Sequence, residues 1–382
     1  MAAADITIKP VTSGKELRQF ISLPWAIYRD DPAWSPPLWL ERRLHFSRMN
    51  PFFKSGSWQA WLALQGSRCV GRICAHVNSI YQQHYGADNG HFGLIEAEQD
   101  STVFAALTGT AEQWLAQRGV SRITGPYNFS INQECGLLVD GFDTPPVCLM
   151  PHSRAWYGPM LEQQGYAPVQ DLLAYWVSID FDAPPAMVSI TRRYQDRIRL
   201  RPLNRKKFGE ELELMRDIFN DAWSNNWGFI PFTRAEFDDL GNSLRLFIED
   251  EFIQIAEVDG VAAAFMVTLP NLNEAFREID GKLLPLGWLK LLRYVRQKRF
   301  RTGRVPLMGV RKQYQHRPIG LALAFMIIDE SRREVLDYGI SEVEMSWILE
   351  NNKPMISILD SIGSRLYKRY RMYGKTIRHG VA

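Results

Sequence analysis

No stretch of this 382-residue chain is apolar for long enough to cross a bilayer. The longest strongly apolar run, Ile319 to Ile328, falls well short of the roughly 20 residues a spanning helix needs. The opening "MAAADITIKPVTSG" has neither the basic region nor the apolar core of a secretory signal, so the expected compartment is the cytoplasm. Cysteine is scarce. Cys69, Cys74, Cys135 and Cys148 show no paired metal-ligand spacing, and in that compartment they are expected to be reduced, mostly structural thiols. The seven histidines form no HExxH or similar cluster, so the expected metal content is none. Acids and bases nearly balance at 42 and 45, and no nucleic-acid motif is present.

What the chain does have is length for two domains, the hydrophobic and charged fractions of an ordinary soluble protein, and many aromatics, with 12 Trp and 20 Phe. Such a surplus suits greasy pockets and large cores alike. The two halves follow one plan. "DITIKP" alternates as a strand, a helical region follows, and "SWQAWLALQG" and "CVGRICAHVNSIY" read as a hairpin turning at Gly66 and Ser67. "HFGLIEAE" is a further strand. A helix over 102–117 comes next, stopped by Gly119, and "SRITGPYN" returns as a strand. In the second half "RIRLRPLN" is a strand and Phe208 to Asn220 a helix. "FIQIAEVDG" and "VAAAFMVTL" form a hairpin, and then come strand "VPLMGV", helix Gly320 to Leu336 and strand "SEVEMSWILEN". The expectation is two mixed α/β (α+β) domains of one fold, 1–182 and 183–382, divided near "DFDAPPAMV", where Pro184 and Pro185 interrupt regular structure.

"GVRKQYQHRPIGLALAF" follows a predicted strand and opens a predicted helix. A helix start leaves backbone N–H groups unpaired and favours an anion. Arg311, Lys312 and Arg317 add positive charge there, and Gly320 lets backbone pass close to a ligand. In this context the segment resembles the GNAT acyltransferase superfamily, whose Gln/Arg-x-x-Gly-x-Gly/Ala motif grips the pyrophosphate of acyl-coenzyme A. Gln315 takes its first place and Gly320 its last. Pro318 replaces the middle glycine and removes one backbone donor. The resemblance implies a tandem GNAT arrangement with acyl-CoA as co-substrate and no resident cofactor. It is held at Val310, Arg311, Gln315, His316, Arg317, Ile319, Gly320 and Leu321. The first half has no such loop, and Glu96, Glu98 and Asp100 there would repel phosphate, so only the second half is expected to bind it. "NPFF", "GPYNFSINQECGLLVDGFDTPP", "NDAWSNNWGFIP" and "MSWILENNKPM" look like a bacterial subgroup of long GNAT-like proteins that includes the ceramide synthases. That likeness implies a fatty acyl group passed to a primary amine such as a sphingoid base.

Direct attack of an amine on the thioester needs a general base and a donor for the developing oxyanion, which by position in the family is the amide of Val310. Glu350, at the end of "SEVEMSWILEN", is the first candidate base, with a solvated or salt-bridged role as its plain alternative; Glu344 on the same strand face is in reserve, and His316 is either a base or a phosphate-side or solvent-facing histidine. Asn352 either positions substrate or caps the following helix. Asn128 and Asn132 either line an acceptor pocket or form turns. Trp223 and Trp227 either wall a channel or pack the core. Where many GNAT enzymes carry an acid tyrosine, this chain has Leu359; Tyr367, Tyr370 and Tyr373 lie further on.

In the repeated plan residues 282–304 are an insertion in the second half, before the strand "VPLMGV", with eight bases and no acid in a chain whose net charge is only +3. On a helical wheel Trp288, Leu291, Leu292 and Val295 share an apolar side. A basic amphipathic helix of this kind suits an anionic membrane surface; a packed surface helix, coenzyme phosphate capture and RNA contact are the alternatives. Two other functions stay open: acetyl transfer to a soluble amine, and a scaffold that binds acyl-CoA or membrane without turnover.

Overall fold

The computed structural model describes residues 5–377. They form two compact units, the first running to Leu172 with Asp280–Leu283 and the chain from Lys368, the second Leu173–Ile279 with Leu284–Tyr367. The division thus falls ten residues before the expected 182/183 limit, and the last strand returns to the first unit; residues 1–4 and 378–382 of the expected limits lie outside the described ones. Pro184 and Pro185 do not mark a break. Pro185 opens the helix Pro185–Tyr194, because its fixed φ suits a first turn, where its missing N–H has no partner to lose.

The strands are, in chain order, β1 (Ile6–Pro10), β2 (Gly56–Gln65), β3 (Arg68–Asn78), β4 (Asn89–Ala97), β5 (Arg122–Gly125), β6 (Tyr127–Asn128), β7 (Glu134–Cys135), β8 (Leu137–Asp140), β9 (Ala167–Ser178), β10 (Ile198–Pro202), β11 (Ile253–Val258), β12 (Val261–Pro270), β13 (Thr302–Val310), β14 (Glu342–Leu349) and β15 (Arg365–Thr376). In the first unit β1 to β4 pair antiparallel in order and β5 joins β4 in parallel. In the second, β10 to β13 pair antiparallel in order and β14 joins β13 in parallel. The repeated plan read in the sequence is therefore the same five-strand topology twice.

Each parallel step needs a crossover, and a helix supplies it. In the first unit this is Ser101–Ala116, whose Val103, Phe104, Leu107, Ala111 and Leu115 are buried at helical spacing against the sheet. In the second it is Pro318–Asp337, which begins two residues before the expected Gly320 and buries Ile319, Ala322, Leu323, Ile327 and Ile328. The opposite face of the first sheet is covered by Phe20, Ile21, Phe46, Phe52 and Phe129.

That first core also encloses imidazoles. His76 Nε2 lies 3.1 Å from the Tyr127 carbonyl, and His45 stacks on Phe129 at 5.0 Å. Burial pushes both down to about 4, and burial together with His76 lowers His91. A histidine depressed in the folded state keeps its full contribution above the unfolded value near 6.5 and loses it as pH falls toward 4. Glu134 extends the loss to lower pH: burial disfavours its charge, but Arg42 overrides this and holds the carboxyl at about 2, so its contribution goes as pH falls from the ordinary carboxylate range toward 2. Glu96, raised by burial, acts in the opposite direction. Stability is expected to fall between pH 6.5 and pH 4 by about 3 kcal/mol per histidine at most, the thermal midpoint falling with it, and His76→Gln should flatten that slope. A pH scan of thermal melting checks it, and a level wild-type profile over that range would count against buried neutral histidines.

Candidate active site

The second unit's parallel pair comes apart at its C-terminal end. Its register runs from Thr302↔Glu342 to Val305↔Met345, yet β13 continues to Val310 on its other neighbour, β12. Pro306 follows at once and has no N–H to offer a ladder. The indole of Trp223 sits at this divergence. Its Nε1 donates to the Met308 carbonyl of β13 at 2.9 Å, and its ring meets Trp347 of β14 edge-on at 5.8 Å. The helix Phe208–Trp223 packs its Ile218 and Ala222 over Gly309 of β13. Trp223 is thus a wall of the opening. Trp227 is half-buried in the loop beyond, which Asn220 pins through both its amide atoms to Phe232.

At the root of the divergence lies a buried polar row. Arg304 and Glu344 are register partners, and both are buried, Glu344 completely. Arg304 Nε donates to Ser346 Oγ at 2.9 Å, Ser346 Oγ donates to Glu344 Oε1, and Tyr367 donates to Glu344 Oε2. Trp176 packs edge-on against Tyr367 at 5.2 Å. A carboxylate held this way, one residue from the opening, can take a proton through the tyrosine hydroxyl.

Glu350 is placed differently: it lies past the end of β14, exposed, its carbonyl 3.3 Å from Lys353 Nζ. Glu344 thus lies buried one residue before the register ends, and Glu350 lies exposed beyond the end of the strand. Sequence reasoning missed Arg304 and Ser346 and left Tyr367 without a role. In the sequence Arg304 reads as one of the bases of the 282–304 stretch; the available signal is that it is the one charged residue of a largely apolar strand. Leu359 is fully buried in the helix Lys353–Ser361. Asn352 is that helix's cap, accepting from the Met355 N–H at 3.3 Å.

Beyond β13 the loop folds back on itself. Gln315 Nε2 donates to the Val310 carbonyl at 2.7 Å and to the Ala222 carbonyl at 3.1 Å. A Cβ on Gly320 would lie 2.1 Å from the Tyr314 carbonyl, so the close approach this glycine permits is to its own loop. Arg311 is paired with Asp217 at 2.6 Å, and Lys312 Nζ is held by Asn225 at 3.0 Å. Arg317 and His316 stay exposed, with His316 at φ +57. The helix starts at Pro318 with no side chain capping it, and its exposed flank carries Leu321. The Ile319 N–H is the first amide it can present to an anion.

In the first unit, side chains take backbone donors at the start of the crossover helix and on β4. Asp100 accepts from the Thr102 N–H at 2.8 Å at the start of the crossover helix. On β4, the Leu94 N–H is taken by Asn128 Oδ1 at 2.9 Å, and Asn128 is in turn held by Glu134. Asn128 therefore braces β4; Asn132 sits in a turn where its N–H is bound by Ser130 Oγ at 3.0 Å. Among the described residues no group of His, Cys, Asp and Glu could hold a metal ion.

No family model matches the chain. It is 45% identical over 371 residues to protein YghO of Escherichia coli K12, covering 97% of this chain and 95% of that protein. It is 43% identical over 377 residues to the bacterial ceramide synthase of Caulobacter vibrioides, covering 98% of each. Among solved structures, a tandem GNAT protein from the clavulanic acid biosynthesis pathway superposes with a TM-score of 0.56 at 12% identity, covering 97% of this chain and 98% of that one. A GCN5-related glucosamine N-acetyltransferase region of a fungal multi-domain β-N-acetylglucosaminidase gives 0.57 at 12% identity, over 98% of this chain and 38% of that longer one. At these identities the structural likenesses speak to fold alone.

Gly320→Ala forces the Tyr314 carbonyl aside. The expected result is a loss of about 1–3 kcal/mol in stability and at least a tenfold weaker acyl-CoA affinity by calorimetry. Unchanged affinity in a melted-down but folded variant would move the pyrophosphate site elsewhere.

Proposed function

The chain belongs to the family that contains YghO and the bacterial ceramide synthase of Caulobacter vibrioides, N-acyltransferases of tandem GNAT fold, and from that premise we propose that it passes a fatty acyl group from acyl-coenzyme A to the primary amine of a lipid-like acceptor such as a sphingoid base. The observation that carries the chemistry is the buried Glu344–Tyr367 contact at the root of the strand opening. The acceptor class rests on the relative's name and on the length of the match.

In this reading acyl-CoA lies with its pyrophosphate at the start of the helix Pro318–Asp337 and its thioester between β13 and β14, against Trp223 and Trp347. The amide of Val310 faces the thioester oxygen. The amine nitrogen adds to the carbonyl carbon. Its proton goes to the Tyr367 oxygen as Tyr367 hands its own to Glu344. The C–S bond then breaks, and the same proton returns through Tyr367 to the departing sulfur, so that amide and free thiol leave and the residues are restored. Tyr367 thereby serves where Leu359 cannot. Ser346 and Arg304 position Glu344 and keep its charge compensated. The acceptor's lipid character puts the enzyme at the inner face of the cell membrane, with the 282–304 insertion toward anionic lipid. No helix among the described residues is long and apolar enough to cross that membrane.

Release of coenzyme A thiol is the assay, with a long-chain acyl-CoA and a sphingoid base set against polyamines and amino acids. Glu344→Gln should lose roughly 10²–10⁴-fold in turnover with acyl-CoA affinity kept, and Tyr367→Phe roughly tenfold or more. Glu350→Gln should stay within a few-fold of wild type. Normal turnover in Glu344→Gln with a loss in Glu350→Gln would return the base to Glu350. Release with polyamines alone would make the acceptor soluble, and none with any amine would leave an acyl-CoA-binding scaffold.

A further inference from the structure

The helix Gly287–Arg296 is turned differently from the wheel read in the sequence. Leu291, Tyr294 and Val295 are half-buried against the second unit, where Tyr294 donates to Glu274 at 3.1 Å and packs on Phe300. The side chains left in water are the remaining large apolar ones. Leu284 is 80% exposed, Leu286 61% and Trp288 48%, and Leu289 and Leu292 follow. Lys290, Arg293, Arg296 and Arg299 stand exposed among them, with no ion-pair partner among the described residues and no acid from 281 to 304. Two bases drop out of this surface: Lys282 pairs with Asp280 at 2.5 Å, and Arg304 is buried in the catalytic row.

We propose that the protein docks on an anionic lipid bilayer by seating Leu284, Leu286, Trp288, Leu289 and Leu292 among the upper acyl chains, with the interleaved bases on lipid phosphates. This deepens the reading of a lipid-borne acceptor. Leucines alternating with unpaired bases on one surface fit a phase that is negative at its face and apolar just beneath. A second copy of the chain would bring like charges together at a twofold interface. An acidic protein or RNA would answer the bases and leave the leucines in water.

The test is flotation of the full-length protein with vesicles of phosphatidylcholine alone or mixed with phosphatidylglycerol. Wild type should float with the mixed vesicles, hardly with phosphatidylcholine, and less in high salt. Leu286→Ser with Leu289→Ser, and separately Lys290→Glu with Arg293→Glu, should each weaken binding at least about tenfold. Every altered side chain is exposed, so melting temperatures should hold. Wild type that stays down with mixed vesicles, or a leucine pair that floats like wild type, would overturn the docking. A dimer in light scattering, broken by the leucine pair and indifferent to vesicles, would assign the surface to self-association instead. Thiol release with a dispersed short-chain base, without vesicles, separates the two readings. A leucine variant that keeps this release but no longer floats supports docking apart from catalysis. Wild type that floats without release ends the catalytic reading and leaves the docking surface.

Discussion

Glu344 has no contact with solvent, and a carboxylate in such a place is tolerated only if its charge is answered. Tyr367 and Ser346 answer it directly, and Arg304 stands on the neighbouring strand behind Ser346. The rest of the second unit's site follows from that requirement. The two strands must run in parallel register through Arg304 and Glu344, so that the row can form. They must then part, so that something can reach it. The register ends one residue later, at Val305↔Met345, where Pro306 withdraws a backbone donor. Stability alone does not call for this arrangement, since apolar side chains of similar volume in such rows are often neutral or stabilising replacements. A buried acid coupled to a hydroxyl beside an opening is what proton transfer calls for.

The comparison between units sharpens the point. Both have the same strand plan and the same crossover helix, and they differ in what occupies the two anion-ready places. In the first unit Asp100 caps the helix start and Asn128 takes the Leu94 amide on β4, and displacing a side-chain bond of this kind costs free energy. In the second unit the helix start has no side-chain cap. One strand plan thus carries different polar side chains in its two copies, and any function lies in those side chains and not in the plan itself.

Much of this was legible in the chain. Alternation in "DITIKP" and "FIQIAEVDG", the 3.6-residue spacing from Val103 to Leu115, and the Asp259–Gly260 turn each report a local preference that the fold keeps. The strand–loop–helix joint at Gln315–Gly320 was visible for the same reason. What stayed hidden depends on partners far apart in sequence. Glu344 and Glu350 sit on the same strand face by alternation, and only the position of the strand's end separates a buried acid from an exposed one. Arg304 looked like one more base in a basic stretch until its neighbour across the ladder was known. The inward side of Gly287–Arg296 could not be chosen from a wheel, because leucine lies on both sides and Tyr294 is fixed by Glu274, twenty residues upstream. The return of β15 to the first unit leaves no local trace at all.

That tyrosine contact belongs to a larger connection. Glu274 also accepts the Arg301 and Thr302 N–H groups at 3.1 and 2.9 Å and the Thr302 hydroxyl, while the Asn271 N–H donates to the Thr302 carbonyl at 2.9 Å. The end of the helix that carries the exposed leucines and the beginning of the strand that carries Arg304 are therefore fastened to one carboxylate. Charge-assisted bonds of this kind are among the stronger in proteins, and several converging on one group leave little freedom between the parts they join. The consequence is mechanical. In the docked state proposed above, the helix cannot rock independently of β13, so lipid contact would fix the orientation of the opening near Glu344 as well as its distance from the bilayer. For an acceptor whose amine sits at the headgroup level and whose tail stays below it, orientation decides whether the nitrogen meets the thioester.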